Sequence, residues 1–236
     1  MLDQLENLMS DLTLASDPLQ AKNLSSFFKT GKGQYGHGDI FWGIKVPIQR
    51  KIAKTYLQLS LSDIITLLKS KIHEHRLVAL IILIDQFKKG NTFQKNKIFK
   101  LYLKNYKNIN NWDLVDISAP NIVGGWLKDK PKEILYKLAK SKNLWQKRVA
   151  IISTLSFIRG GNFDETFKIV KLLMKDKHDL IHKACGWMLR EVGKRNEKKE
   201  KEFLDKHCKQ MARTMLRYSV EKFNKKEYKH YLVCSR

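Results

Sequence analysis

Proline, glycine and cysteine are scarce in this chain of 236 residues, which has four prolines, twelve glycines and three cysteines. Residues that break regular structure are therefore rare, and strand-like alternation of apolar and polar residues is missing, which argues against a β-rich fold. The longest purely apolar run, Leu77 to Ile84, is too short to span a bilayer, and no basic region followed by an apolar block opens the chain. We therefore expect no membrane segment and no export signal.

The three cysteines, Cys185, Cys208 and Cys234, are odd in number, widely spaced and outside any CxxC pair. This pattern predicts three reduced thiols. A cytoplasmic, nucleoid-associated protein is the corresponding expectation.

Acidic side chains are also few, with 23 Asp and Glu against 46 Lys and Arg, and the formal net charge is +23. A polyanionic partner is the direct implication. Coding from an AT-rich genome would enrich lysine, but it would raise Asp and Glu as readily, so it does not explain the imbalance. Basic residues run along the whole chain instead of gathering on one amphipathic helix, which favours nucleic acid over a membrane surface.

Most segments carry apolar residues at helical spacing, as in "DIITLLKSKI" and "KIVKLLMKD". The fold class predicted is all-α, in a single domain over residues 1–236. Its N-terminal helices lie within residues 1–28, and repeats occupy about residues 46–232. The Gly-rich stretch from Lys29 to Pro47 predicts a loop that leads into the next helix, and it lacks the glycine and lysine spacing of a phosphate loop.

Weak internal repeats are visible around three alanines. "HRLVALIILIDQFKKGN" and "KRVAIISTLSFIRGGN" superpose with Ala79 on Ala150, and "HKACGWMLREVGK" continues the series with Ala184. Half of the interval between Ala79 and Ala150 leads to about residue 115, where Asp116 and Ala119 each fit the alanine position. Intervals of about 34 to 37 residues, slightly shorter than is typical for such repeats, favour paired helices stacked as an α-solenoid, with a basic concave surface able to hold a duplex.

Trp112 and Asp116, in "NNWDLVDISAP", are the first candidates for chemistry. Residues four apart share a helix face, so a carboxylate would lie beside an indole in a strongly basic chain. The alternative is a capped helix start with an ordinary core tryptophan. Asn111 and Asp113 suit that start as N-cap and first-turn acid, and we assign them no chemistry.

Two later segments hold further candidates. "LWQKRVAIIS" places Lys147 and Arg148 at the head of an apolar helix, where Arg148 could bind a phosphate or Asp116. The alternative is a solvated basic residue beside a core helix. "HKACGWMLREVGKR" places Trp187 and Arg190 one turn apart, with Gly186 leaving room beside the ring, and the alternative there is a core tryptophan.

Metal and nucleophile patterns are weak. His178 and His182 have HExxH spacing but with Asp in place of Glu, and "HEH" at residues 73–75 has no obvious third ligand. No Ser/His/Asp grouping or reactive cysteine stands out. We therefore expect no metal and no cofactor.

Five segments together resemble the DNA alkylation repair glycosylases of the AlkD type. They are "FFKTGKGQYGHGDIFWGIKVPIQRKIAK", "NNWDLVDISAPNIVG", "LWQKRVAIISTLSFIRGGNF", "HDLIHKACGWMLREVGKRN" and "MARTMLRYSVEKF", in the family's order. No single segment is diagnostic, but the likeness extends over roughly residues 24 to 232. It implies a HEAT-like solenoid whose basic concave surface holds DNA, and excision of cationic N3- or N7-alkylated purines such as 3-methyladenine and 7-methylguanine without base flipping.

The same resemblance implies roles for individual residues. The Trp and final Asp of the family's WDxVD motif are Trp112 and Asp116, the Arg that opens RVAI is Arg148, and the Trp of GWMLREVG is Trp187. Asp116 would stabilise the sugar cation and orient water, the two tryptophans would line the sugar, and Arg148 would anchor a phosphate. Other basic residues would grip the backbone without reading sequence: Lys147, Arg190, Lys194 and Arg195.

Two alternatives to a monomeric glycosylase acting on double-stranded DNA stay open. One is a non-catalytic helical-repeat protein that recognises DNA shape, and the other is a scaffold for acidic proteins. An acid on the DNA-facing surface opposes simple DNA binding, so the pairing of Trp112 with Asp116 favours the enzyme.

Overall fold

The computed structural model describes residues 4–234, and helices dominate throughout that range. The first seven are α1 Gln4–Leu14, α2 Pro18–Phe27, α3 Val46–Thr55, α4 Leu61–Leu68, α5 His73–Lys89, α6 Thr92–Lys104 and α7 Trp112–Ala119, with a 3₁₀ turn at Tyr106–Asn108 before α7. A π-helical turn, Pro120–Gly124, connects α7 to α8 Gly125–Leu127. The remainder are α9 Glu133–Ala139, α10 Leu144–Ser153, α11 Leu155–Arg159, α12 Asp164–Leu173, α13 Asp179–Gly193, α14 Glu197–His207, α15 Arg213–Ser219 and α16 Lys225–Cys234, with 3₁₀ turns on either side of α15.

Residues 4–234 contain no β-sheet, and an isolated bridge joins Ile40 to Ile72. The predicted all-α class is therefore confirmed. Within the same range no helix is long and apolar enough to cross a membrane. The chain divides into two compact units whose boundary lies between Ser118 and Ala119. The single domain, the solenoid and its basic concave surface stay predictions.

The first unit is built around α5, which packs against α3, α4 and α6. Buried side chains lie on nearly every face of α5, so the first turn of this helix is enclosed as well as its apolar middle. That first turn consists of His73, Glu74, His75 and Arg76, and each is at most 4% exposed. Polar groups buried to this degree require partners. Those of His73, Glu74 and Arg76 come from the Gly-rich loop, from α7 and from the Ser70 carbonyl just before α5.

The second unit centres on α10 and α13, which pack against each other. Asn143 caps α10 by accepting the N–H groups of Trp145 and Gln146, and the ring of His178 caps α13 by accepting the N–H of Leu180. These caps fix where both helices begin, and therefore where their site candidates lie.

The alanines that mark the predicted repeats are all buried. Ala79 on α5, Ala150 on α10 and Ala184 on α13 are buried at the helix contacts. In the central segment Ala119 is fully buried, whereas Asp116 is half-buried. In its burial Ala119 therefore matches the other alanines better than Asp116 does.

The prediction of three reduced cysteines is wrong for two of them. Cys208 and Cys234 form a disulfide, with Cα atoms 6.0 Å apart, and Cys185 is the buried free thiol. A separation of 26 residues concealed the pair. The packing of α16 beside the 3₁₀ turn that holds Cys208 brings the sulfurs together.

Candidate functional site

Helix α7 of the first unit carries two of the predicted site residues, Trp112 and Asp116. Asn111 starts the helix, since its side-chain oxygen accepts the N–H of Trp112 at 2.8 Å and its backbone carbonyl accepts the N–H of Val115. Trp112 is the first residue of α7 and Asp116 lies one turn later, and both are half-buried. Neither is an ordinary core residue.

An aromatic cluster fixes the indole of Trp112. Its ring stacks on Phe28 with centroids 5.1 Å apart and planes 16° apart, and Phe27 meets its edge at 5.9 Å. Phe28 stacks in turn on Phe41, at 4.9 Å and 19°. Phe28 and Phe41 are buried, whereas Phe27 is 63% exposed. Residues from the end of α2 and from the Gly-rich loop therefore support the indole, a role the sequence did not indicate.

Asp116 places its negative charge near the buried phenol of Tyr102 on α6. The Ser118 hydroxyl donates to the carbonyl of Leu114, so the Tyr102 hydroxyl donates to Ser118, at 2.9 Å. Burial raises the pKa of Tyr102, and the charge of Asp116 adds to that rise. Tyr102 consequently stays neutral and supports α7 without titrating.

A charged cluster joins the first turn of α5 to the loop and to α7. His73 lies with Nε2 at 2.8 Å from Asp113 Oδ2 and Nδ1 at 3.3 Å from Asp39 Oδ2. Arg76 reaches Asp39 Oδ1 at 2.7 Å, and the Asn111 amide donates to Asp39 at 3.2 Å. Asp113 is therefore more than a first-turn acid. Sequence reasoning missed this cluster, although four polar residues directly before the run "LVALIILI" are a signal of buried charge.

The neighbouring Glu74 anchors the Gly-rich loop. Its fully buried carboxylate accepts the backbone N–H groups of Trp42, Gly43 and Ile44, the closest at 2.8 Å. Gly43 has φ 82°, and a Cβ there would collide with the backbone of α2, so glycine is required. The loop ends at α3, as predicted, and its last part is hydrogen-bonded to α5 through Glu74.

Arg148 and Lys147, on α10 of the second unit, are both engaged by protein groups. Arg148 is 5% exposed and donates to the carbonyl of Leu180 at 2.6 Å, so the alternative of a solvated basic residue is wrong. Lys147 lies 2.5 Å from Asp176. Burial by itself would raise the pKa of Asp176, but Lys147 and the N–H of His178 lower it below its usual value.

The candidates on and after α13 differ in exposure. Trp187 is half-buried, and its indole N–H donates to Glu191 at 3.1 Å. Glu191 also pairs with Lys194 at 2.6 Å, and Arg190 pairs with Glu221. Arg195 is exposed, and within residues 4–234 no ion pair involves it. Of the predicted DNA-binding cations, Arg195 is therefore the most available.

Gly186 does not leave room beside the Trp187 ring, as the sequence suggested. A Cβ at this position would collide with the Met215 carbonyl and with Tyr218 on α15. The glycine instead permits the close approach of α13 and α15, which is the most extensive helix contact of the second unit.

The histidine patterns considered for metal binding have other partners. His178 caps α13, and the Nε2 of His182 lies 2.5 Å from the carbonyl of Asp176, to which it donates. His73 and Glu74 are engaged as described above. Over the residues that the structure describes, no group of three or more metal-ligating side chains is assembled.

Comparison with known proteins identifies the family. A family model described as DNA alkylation repair enzyme matches residues 8–223. A solved structure described as "Predicted DNA alkylation repair enzyme from Enterococcus faecalis" aligns with a TM-score of 0.67 and 19% identity, over 89% of this chain and 97% of that chain. At this identity the likeness shows a shared fold. No curated protein matches.

Proposed function

The chain belongs to the DNA alkylation repair enzyme family, and we propose that it is a monofunctional DNA glycosylase. Its substrates are cationic N3- and N7-alkylpurines, such as 3-methyladenine and 7-methylguanine, in double-stranded DNA. It acts as a monomer without a cofactor. The observation that supports this most is Asp116, a half-buried acid one helical turn from Trp112 in a chain of net charge +23.

The reaction needs little acid catalysis because the damaged base already carries a positive charge. When the N-glycosidic bond breaks, its electron pair goes to the base, which leaves neutral. Positive charge develops on the deoxyribose instead, a water oxygen bonds to C1′, and the water releases a proton. The protein therefore has to stabilise a sugar cation and orient water, as carboxylates do in glycoside hydrolysis.

Asp116 is suited to both tasks. Its half-burial leaves part of the side chain accessible, while the enclosure of α7 lowers the local dielectric and strengthens its attraction for a cation. Tyr102 beside it stays neutral and does not supply a competing negative charge. We assign Asp116 as the group that stabilises the sugar cation and orients water.

Trp112 and Trp187 are assigned as aromatic walls for the sugar. The Phe28 stack holds the first indole and the Glu191 hydrogen bond orients the second. A cation near the face of a tryptophan gains on the order of 1 to 2 kcal/mol when it is desolvated.

Cations of the second unit are assigned to the DNA backbone. Arg148, fixed by the Leu180 carbonyl, provides a positive charge of defined position for a phosphate near the lesion. Arg195 is exposed and offers a direct phosphate contact. Lys147, Arg190 and Lys194 have acidic partners and contribute after exchanging them for phosphate.

The deciding assay measures release of 7-methylguanine and 3-methyladenine from methylated duplex DNA under single-turnover conditions. Asp116→Asn should reduce the rate by about 10²- to 10³-fold, the usual effect of losing one electrostatic contact to the transition state. Asp129→Asn is the matched control, since Asp129 is exposed and its replacement changes the net charge equally. It should release bases at the wild-type rate.

Other outcomes separate the alternatives. Equal release by wild type and Asp116→Asn would remove Asp116 from its proposed role. Tight, salt-dependent DNA binding without release of any base would support a protein that recognises DNA shape. Binding to DNA no stronger than to an acidic polypeptide would support a scaffold. A 2-aminopurine placed opposite the lesion should show no fluorescence rise on binding if the base stays stacked.

A further inference from the structure

His73 is buried between two carboxylates that belong to different parts of the first unit. Asp39 lies in the Gly-rich loop and Asp113 in the first turn of α7, and each faces a different ring nitrogen of His73. An ionised carboxylate only accepts hydrogen bonds, so both contacts form when both nitrogens carry protons. Arg76 Nη2 also faces Nδ1, at 3.5 Å, but the carboxylate oxygens are the closer neighbour of each ring nitrogen, and this arrangement favours an imidazolium.

The charges around His73 balance only in that state. The charged groups facing it are Asp39 from the loop, Asp113 from α7 and Arg76 from α5, and the Asn111 amide is its other polar neighbour in the cluster. Two carboxylates face one guanidinium, so a neutral imidazole would leave an uncompensated negative charge in a buried place. Burial alone would lower the pKa of His73, but the carboxylates outweigh it and raise that pKa.

The imidazole also reaches Trp112 through stacked rings. His73 stacks on Phe41 at 4.4 Å and 21°, Phe41 stacks on Phe28, and Phe28 stacks on the indole of Trp112. The residue after Trp112 is Asp113, which holds the other side of the imidazole. Two independent routes, one ionic and one aromatic, therefore connect His73 to the indole.

We propose that His73, held as an imidazolium, is a positioning residue that fixes Trp112 and the first turn of α7 for base excision. The catalytic part of this proposal rests on the glycosylase function proposed above. Because the pKa of His73 is raised by folding, its ion pairs persist below the ordinary value of about 6.5 and are lost as pH rises through the folded-state pKa. Loss of one proton leaves a single N–H on the ring and removes the charge that attracts both carboxylates, so the first turn of α7 and the indole are held less firmly.

A spectroscopic test examines the positioning without reference to catalysis. Nitrogen-15 NMR of the full-length protein follows the imidazole of His73 and the indole N–H of Trp112 as pH is raised. The two signals should titrate with one midpoint, above the value of about 6.5 for free histidine. His73→Gln should abolish the Trp112 titration, and His37→Gln, in an exposed part of the same loop, should leave it unchanged. A Trp112 signal that does not change while His73 titrates would overturn the proposal.

A kinetic test examines the consequence for catalysis, using single-turnover release of 7-methylguanine across the same pH range. Wild type should lose activity as pH rises through the folded-state pKa of His73, which lies above the ordinary value of about 6.5. Asp113→Asn should move this loss to lower pH, because the imidazolium loses a counter-charge. His73→Gln should reduce the rate by about ten- to a hundredfold at all pH values, the cost of a misplaced site, with DNA affinity within about threefold of wild type.

The outcomes distinguish the two proposals. Absence of base release by wild type at every pH would refute the glycosylase function, while the NMR titration would still decide whether His73 positions Trp112. Base release with the same pH profile in wild type and Asp113→Asn would refute the positioning role in catalysis. If His73→Gln does not fold, Asp113→Asn decides the question by itself, because it keeps the imidazole and removes one partner.

Discussion

The indole of Trp112 stacks on the ring of Phe28, with centroids 5.1 Å apart and planes 16° apart. Phe28 follows the last residue of α2, and its opposite neighbour in the stack is Phe41 of the Gly-rich loop. The orientation of a predicted site residue is therefore set by a segment far away in the chain. Substitutions in that segment should affect both stability and catalysis.

Phe28→Ala should lower the free energy of unfolding by about 3 to 5 kcal/mol, because it leaves a cavity between two rings. It should also slow base release, since the indole loses its support. Phe93→Ala is the control, as Phe93 is 65% exposed on α6 and its loss should cost within about 0.5 kcal/mol. Denaturant unfolding measures the free energy of unfolding of the two variants. A similar loss of stability in Phe28→Ala and Phe93→Ala would contradict the supporting role of Phe28.

Arg195→Ala should reduce the slope of log K against log salt for DNA binding by about 0.9, the value for one lost phosphate contact. Lys147→Ala should change it less, because Asp176 already neutralises Lys147 at 2.5 Å. Fluorescence anisotropy with duplex DNA at several salt concentrations measures both slopes. Equal changes would show that the intramolecular ion pair does not limit the contribution of Lys147.

His75→Phe should remove part of the acid sensitivity of the fold. His75 is buried against the edge of Trp42, and burial, with a smaller contribution from Arg76, lowers its pKa to about 4. Unfolding therefore takes up a proton between about pH 6.5 and 4, so stability is present above this range and is lost as pH falls through it. Denaturant unfolding across the range should show a smaller loss for the variant, and parallel curves would contradict the assignment.

Reduction of the Cys208–Cys234 disulfide should lower stability by about 3 kcal/mol, as expected for a link that closes a loop of 26 residues. Unfolding with and without reductant measures the effect, and Cys234→Ser should be insensitive to reductant. Thiol titration of the unfolded, unreduced protein should find Cys185 alone. A count of three thiols would contradict the disulfide.

Much of the fold was predictable because it depends on local pattern. The run "DIITLLKSKI" contributes to α4 and "KIVKLLMKD" to α12, and the loop from Lys29 leads to α3 as expected. Apolar spacing and the scarcity of proline are properties of neighbouring residues, and helix formation responds to them directly. The buried alanines of α5, α10 and α13 follow from the same periodicity.

The environment of the site residues was less predictable. The spacing of Trp112 and Asp116 indicated one helix, but not the Phe28 stack, the His73 clamp on Asp113 or the protein contact of Arg148. His73 and Glu74 resembled an incomplete metal site in sequence. Their partners in the Gly-rich loop and α7 are separated from them by thirty residues or more in the chain, and spacing has no information about such contacts.

The sequence by itself determined the all-α class, the positive charge and the positions of the candidate acid and tryptophans, because composition and helical periodicity are local quantities. Only tertiary structure decided which cations are neutralised by acidic partners, which cysteines are joined, and that the buried side chain of His73 connects the Gly-rich loop to α7. These features depend on the distance between residues remote in the chain. Their energies arise from burial and from charges brought within a few ångströms, which exist only after the helices have packed.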